Sequence, residues 1–128
     1  MSGEEKKYDL EERLITYAAE MIGVSEALPA TRSGNHVAAQ ILRSGTSPAP
    51  NYGEAMAAES RRDFLHKMGI CLKELKETRI WLRISAKRQM LSVPVLDAWL
   101  QETGELIRIF KSSIQTATRN AKLSHIQH

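Results

Sequence analysis

Apolar residues recur at alternating steps of four and three along most of this chain, and that spacing limits the possible folds more than any other feature. Leu10, Leu14, Tyr17, Met21, Val24 and Leu28 share one helical face, with Ile15 and Ile22 widening the stripe. Phe64, Met68, Cys71, Leu72, Leu75 and Leu82 form a second stripe. Leu96, Trp99, Thr103, Leu106, Phe110, Ile114 and Ala117 form a third, flanked by Leu100, Ile107 and Ile109. No stretch shows strand alternation bounded by turn signals. The pattern predicts an all-α protein, an antiparallel up-and-down four-helix bundle, as a single domain over residues 1–128. The helices are expected over about 9–28, 34–58, 61–86 and 93–120.

The expected boundaries follow from capping chemistry. Asp9 can cap the first helix, with Glu11 and Glu12 favourable against its dipole, and Pro29 stops it. Ser33 is the expected N-cap of the second helix. Ser60 caps the third, with Asp63 as the capping-box acid. A polar turn over 86–92 leads to the fourth, where Pro94 is tolerated in the first turn; it is expected to fray after Asn120.

The second helix is interrupted by a difficult segment, residues 44–53, SGTSPAPNYG. Pro48 and Pro50 each remove a backbone donor and clash with the carbonyl four residues back. Gly45 and Gly53 weaken the helix further. Two readings stay open: a loop between two short helices, or one helix kinked or broken at Pro48/Pro50. In the second, the hydroxyls of Ser44, Thr46 and Ser47 help settle the disturbed backbone.

A chain of 128 residues buries enough surface to fold without staples. The single cysteine, Cys71, excludes an internal disulfide framework and suits a reducing compartment. No run approaches a membrane span and the N-terminus lacks a signal-peptide core, so a cytoplasmic location without membrane contact is expected. The formal charge of +3 is mild for a nucleic-acid binder.

No HExxH, CxxC, Gly-rich phosphate loop or GxSxG occurs. The histidines are scattered, and His66 with Asp63 offers two ligands where a metal needs three or four. Cys71 lies on an apolar stripe, as an inert core thiol does. The expectation is no enzymatic activity, no metal and no cofactor. Arg61, Arg79 and Arg83 fall within about 20° of Leu72 at 100° per residue. A buried arginine needs a carboxylate, so Arg79 is expected to pair with Glu54 or Glu59 in a structural ion-pair lattice. A catalytic Arg79–Glu54 pair is the rival. Ile70 and Trp81 stand outside the core stripe, on one strip with Glu74 and Glu77. They cover either a neighbouring helix or a subunit interface. Basic residues are interleaved with acids until Glu105. Beyond it Arg108, Lys111, Arg119 and Lys122 meet none, and they are the candidate nucleic-acid-binding residues.

The run from Leu42 to Ile84 carries Arg43-Ser44, Thr46-Ser47, Asn51, Glu54-Ala55, Ser60, Asp63-Phe64, Lys67, Lys73-Glu74, Glu77-Thr78 and Trp81-Leu82. This pattern resembles the signature of the four helix bundle protein family, encoded in intervening sequences of bacterial large-subunit rRNA genes and elsewhere in bacterial genomes. The similarity covers most of the chain from His36 to Ala117, including the LQETGELIRIFKSSIQTA stretch. Pro50 departs from the family pattern, which has a small or apolar non-proline residue before the asparagine. The resemblance implies a bundle assembled as a ring-like homopentamer, with Ile70 and Trp81 near the interface. The related accessory proteins of diversity-generating retroelements share bundle and ring, partner a reverse transcriptase and bind nucleic acid through a basic surface. The functional expectation is therefore an assembly or adaptor protein for nucleic acid or a nucleic-acid enzyme. The alternative is a structural product of an rRNA intervening sequence with no nucleic-acid affinity.

Overall fold

The computed structural model describes the backbone over residues 3–127 and side chains over residues 10–123. Five helical segments follow one another: α1 Gly3–Ala27, α2 Arg32–Thr46, α3 Pro48–Met56, α4 Arg61–Lys87 and α5 Val93–Gln127. Strands are absent among the described residues. α2 and α3 act as one kinked helix, so the architecture is the four-helix bundle that the stripes predict.

At the kink, Ser47 keeps right-handed helical dihedrals (φ −70°, ψ −39°), and Asn51 N–H still reaches the Ser47 carbonyl at 3.3 Å. The chain therefore bends without turning away. Pro48 stands at the first position of α3, where a missing N–H is harmless. The Ser44 hydroxyl donates to the Gln40 carbonyl at 2.8 Å and the Thr46 hydroxyl to that of Leu42 at 2.6 Å. Such back-bonding bends helices. Asn51 Nδ2 donates to the Ser47 carbonyl at 3.0 Å, and the buried Cys71 thiol points at the Pro48 carbonyl at 3.4 Å. Burial pushes that thiol up to about 12, so it stays protonated and inert at neutral pH.

Three boundaries move from expectation. α1 begins at Gly3, so Asp9 lies inside it rather than at its cap; the Asp9 side chain is outside the described residues. Thr31, not Ser33, caps α2: its backbone is extended and its Oγ1 accepts from Gly34 N–H at 3.0 Å. α5 runs on to Gln127 instead of fraying after Asn120, since no breaker follows. The Ser60 cap is where the sequence puts it, accepting from Asp63 N–H at 3.0 Å.

The core gathers Leu14, Tyr17, Met21, Ile41, Leu75, Leu82, Leu96, Leu106 and Phe110, all buried. Tyr17 meets Trp99 edge to face at 6.3 Å, and Tyr52 meets Phe110 likewise at 6.0 Å. Buried hydroxyls are matched to one another. Thr103 donates to the Trp99 carbonyl at 2.6 Å, leaving Tyr17 to donate to Thr103 at 2.6 Å. Thr78 Oγ1 lies 2.8 Å from Ser44 Oγ. Burial raises the Tyr17 phenol above its ordinary range, keeping it neutral.

α4 ends in a Schellman motif. Met90 N–H bonds to the Ser85 carbonyl at 3.0 Å and Gln89 N–H to that of Ala86 at 3.1 Å. The residue between, Gln89, takes φ 54°, the left-handed position where glycine is usual. Gln89→Gly should therefore stabilise the fold by about 0.5–1 kcal/mol, because it relieves Cβ strain at the cost of some chain entropy. A thermal melt showing a rise of a few degrees checks this; a fall would mean that the side chain makes compensating contacts.

Candidate nucleic-acid interface

The packing of α4 decides where its charges go. Glu74 and Glu77 sit on the flank that meets α2, and both accept from Arg43, Glu74 at 3.0 Å. Glu74 is buried, and Trp81 on the same flank donates its ring N–H toward Glu77 at 3.3 Å. Further along that flank Lys67 pairs with Glu54 of α3 at 3.1 Å. The acids that alternate with bases in the sequence of α4 are thus turned toward its neighbours.

The outward stripe of α4 is left basic. Lys73, Lys76, Ile80, Arg83 and Lys87 follow at steps of three and four, and Arg62 begins the same stripe; all are exposed. α5 packs along α4. Its own outward stripe carries Arg108, Lys111, Arg119 and Lys122, within an arc of about 80° at 100° per residue. All four are exposed, as the sequence implies. Two neighbouring helices therefore present cations on one side of the bundle, with Asp97 as the exposed acid on the α5 stripe.

Other expected contacts are rearranged. Arg79 is half-buried but makes no ion pair with Glu54 or Glu59. It stands about 120° around α4 from Lys67, the residue that does reach Glu54. Glu59 is exposed and lines an open cleft of about 600 Å³ with Met56, Arg61, Phe64 and Asn120. Trp81 is half-buried and meets His36 of α2 edge to face at 5.6 Å, so its apolar surface serves a contact within the subunit. Ile70, about three turns earlier on the same strip of α4, is also half-buried.

An ion-pair lattice is present, built from other arginines than Arg79. Besides Arg43, Arg13 of α1 bridges Glu102 and Glu105 of α5 at 2.7 Å each. The Glu102 hydrogen bond and both carboxylates hold the Arg13 guanidinium firmly protonated, above its ordinary range. The signal for this bridge was in the sequence. Arg13 borders the first stripe, and two glutamates three apart border the last. Among the described residues no group of three or more His, Cys, Asp or Glu converges as metal ligands. No described helix is long and apolar enough to cross a membrane.

The family pattern for 23S rRNA-intervening sequence proteins matches residues 6–112. The chain belongs to this family. A crystal structure of a protein of unknown function from the S23 ribosomal protein family of Bacteroides thetaiotaomicron superposes with a TM-score of 0.76 at 29% identity. That match covers 81% of this chain and 96% of the other. No curated protein matches. The polar residues by which the sequence resembles the family are those that tie the helices together here. Arg43 holds Glu74 and Glu77, Ser44 meets Thr78, Glu54 meets Lys67, and Ser60 caps α4 at Asp63.

Proposed function

We propose that this family member is a non-enzymatic assembly or adaptor protein, a ring-like homo-oligomer whose basic side binds nucleic acid. The observation that carries this reading is the segregation of charge on α4 and α5. Arg43 pairs with Glu74 and Glu77 on an inner flank, while Arg62, Lys73, Arg108, Lys111, Arg119 and Lys122 face outward on adjacent helices. Cations held on rigid helices suit a phosphate backbone, which is bound by charge rather than base identity. No aromatic residue is interleaved to stack on bases, so sequence preference should be weak. Repetition around a ring, a pentamer by the family resemblance, would turn a modest patch into a useful one through avidity.

Fluorescence anisotropy with a single-stranded and a duplex probe tests this across a salt series. Affinity for duplex should fall steeply with salt, with a slope of about −0.9 per phosphate neutralised. Replacing Arg108, Lys111, Arg119 and Lys122 together with glutamine should flatten the slope by up to about 3.6 and weaken binding to all sequences alike. No binding at tens of micromolar protein would reduce the stripe to a solvated surface. The family member would then be a structural product of its intervening sequence.

A further inference from the structure

The surface of the bundle is polarised in charge. Between Leu10 and Thr31 the only cation is Arg13, which is engaged by Glu102 and Glu105. The exposed surface of this part of α1 is acidic, carrying Glu11, Glu12, Glu20 and Glu26. Within it stand two large apolar side chains seven residues apart, Ile15 at 48% and Ile22 at 41% exposure. Leu42 of α2, 43% exposed, stands on the helix packed alongside. Across the bundle, α4 presents Ile80 at 50% and Ile84 at 37% exposure. They line a shallow cavity of about 290 Å³ with Arg83, Lys87 and Arg88. α1 and α4 each pack along α2 and α3 rather than along each other. One molecule therefore carries an apolar stripe framed by acids and, elsewhere, an apolar stripe framed by bases.

We infer that these stripes form a head-to-tail contact: Ile15, Ile22 and Leu42 of one copy pack on Ile80 and Ile84 of the next. This rests on the ring-forming reading above and assigns its interface. The partner is a second copy because each stripe supplies what the other lacks. Glu11 and Glu26 flank the isoleucines of α1, and Lys76, Arg83 and Lys87 flank those of α4. The match places opposite charges at the rim of an apolar centre, the usual anatomy of a specific interface. Because the two stripes differ, the contact is heterologous and propagates from copy to copy. The stripes also lie at a similar height. Met21, which stands beside Ile22, lies against Gly45 of α2; the adjacent Ser44 lies 2.8 Å from Thr78, and Ile80 and Ile84 follow Thr78 closely in α4. The axial offset between stripes is thus on the order of 10 Å or less at 1.5 Å per residue, which suits a closed ring better than a steeply rising filament. The cations of Arg108–Lys122 on α5 are outside this contact and remain free for phosphate.

Sedimentation equilibrium on two double variants and their mixture tests the assignment. One is Ile15→Gln with Ile22→Gln; the other is Ile80→Gln with Ile84→Gln. All four positions are exposed in the subunit, so each variant should keep its helical circular dichroism and melt within a few degrees of wild type. Wild type should assemble at micromolar concentration, and each variant alone should dissociate about a hundredfold more readily. Mixed at equal concentration, they should form one-to-one pairs, because each retains the stripe that the other lacks. Assembly of either variant at wild-type affinity would overturn the assigned contact and leave the ring reading standing. So would variants that both fall apart yet fail to pair when mixed. A wild type that stays monomeric at tens of micromolar would overturn the contact and the ring reading together.

Discussion

Replacing Gly45 with alanine is expected to destabilise the protein by about 2 kcal/mol, although alanine is the better helix former. Two effects oppose each other. Helix propensity favours alanine over glycine by about 1 kcal/mol in an exposed interior. Packing opposes it, because a Cβ at Gly45 would lie 2.5 Å from Met21 Cγ and 2.6 Å from Met21 Cβ. Ordinary carbon contacts are about 3.5–4.0 Å. Met21 is fully buried, and its Cβ is fixed to the α1 backbone, so no rotamer change removes the clash. α1 and α2 must move apart, and overpacking of this kind costs about 1–3 kcal/mol or more. Gly53→Ala and Gly23→Ala are the controls, since a Cβ at either meets nothing within 4 Å. Those two should stabilise by up to about 1 kcal/mol. Urea unfolding of the three variants gives the signs directly. If Gly45→Ala were as stabilising as Gly53→Ala, the close approach of α1 and α2 at this residue would be wrong.

The role of Gly45 also shows where a linear reading stops. The spacing of Leu14, Tyr17, Met21 and their counterparts told which face of each helix is inward, because burial of one stripe is a property of the helix alone. The Ser60 cap was equally local. The kink at Ser47 was one of two open readings, and the sequence could not choose because both satisfy the proline chemistry. The choice was made by tertiary packing, with Pro48 buried against α4 at Cys71. Gly45 reads as a weakness in the sequence, and only the approach of Met21 turns it into a requirement. Charge pairing is harder still. A helical projection puts Arg79 near the apolar face of α4 but does not say which neighbour covers each flank. It therefore proposed Glu54 or Glu59 for Arg79, whereas Lys67 takes Glu54 and Arg43 takes Glu74 and Glu77. The candidate site was half legible for the same reason. Arg108, Lys111, Arg119 and Lys122 could be found because no acid follows Glu105 before them. Lys73, Lys76 and Arg83 are interleaved with Glu74 and Glu77 in the sequence, and only the packing of α2 on one flank of α4 separates them.

Arg43→Ala should cost about 2 kcal/mol, more than an ordinary surface charge change and less than the loss of a fully buried pair. The Arg43 side chain is 51% exposed, so its own desolvation is small and water screens part of its attraction. The Glu74 side chain is only 12% exposed, and removing Arg43 leaves its charge without that partner. Surface pairs are worth about 0.2–1 kcal/mol, while stranding one member of a buried pair costs about 3–5 kcal/mol. This pair has one member in each class, which sets the intermediate figure. Glu77 is a smaller part of the loss, since it is more exposed and also accepts from the Trp81 ring N–H. If the cost arises from a stranded Glu74 charge, then Glu74→Gln in the Arg43→Ala background should recover about half of it, although the same change alone is destabilising. A double-mutant cycle by urea unfolding measures both. Additive losses would mean that the two side chains act independently, and the lattice joining α2 to α4 would then contribute shape rather than charge.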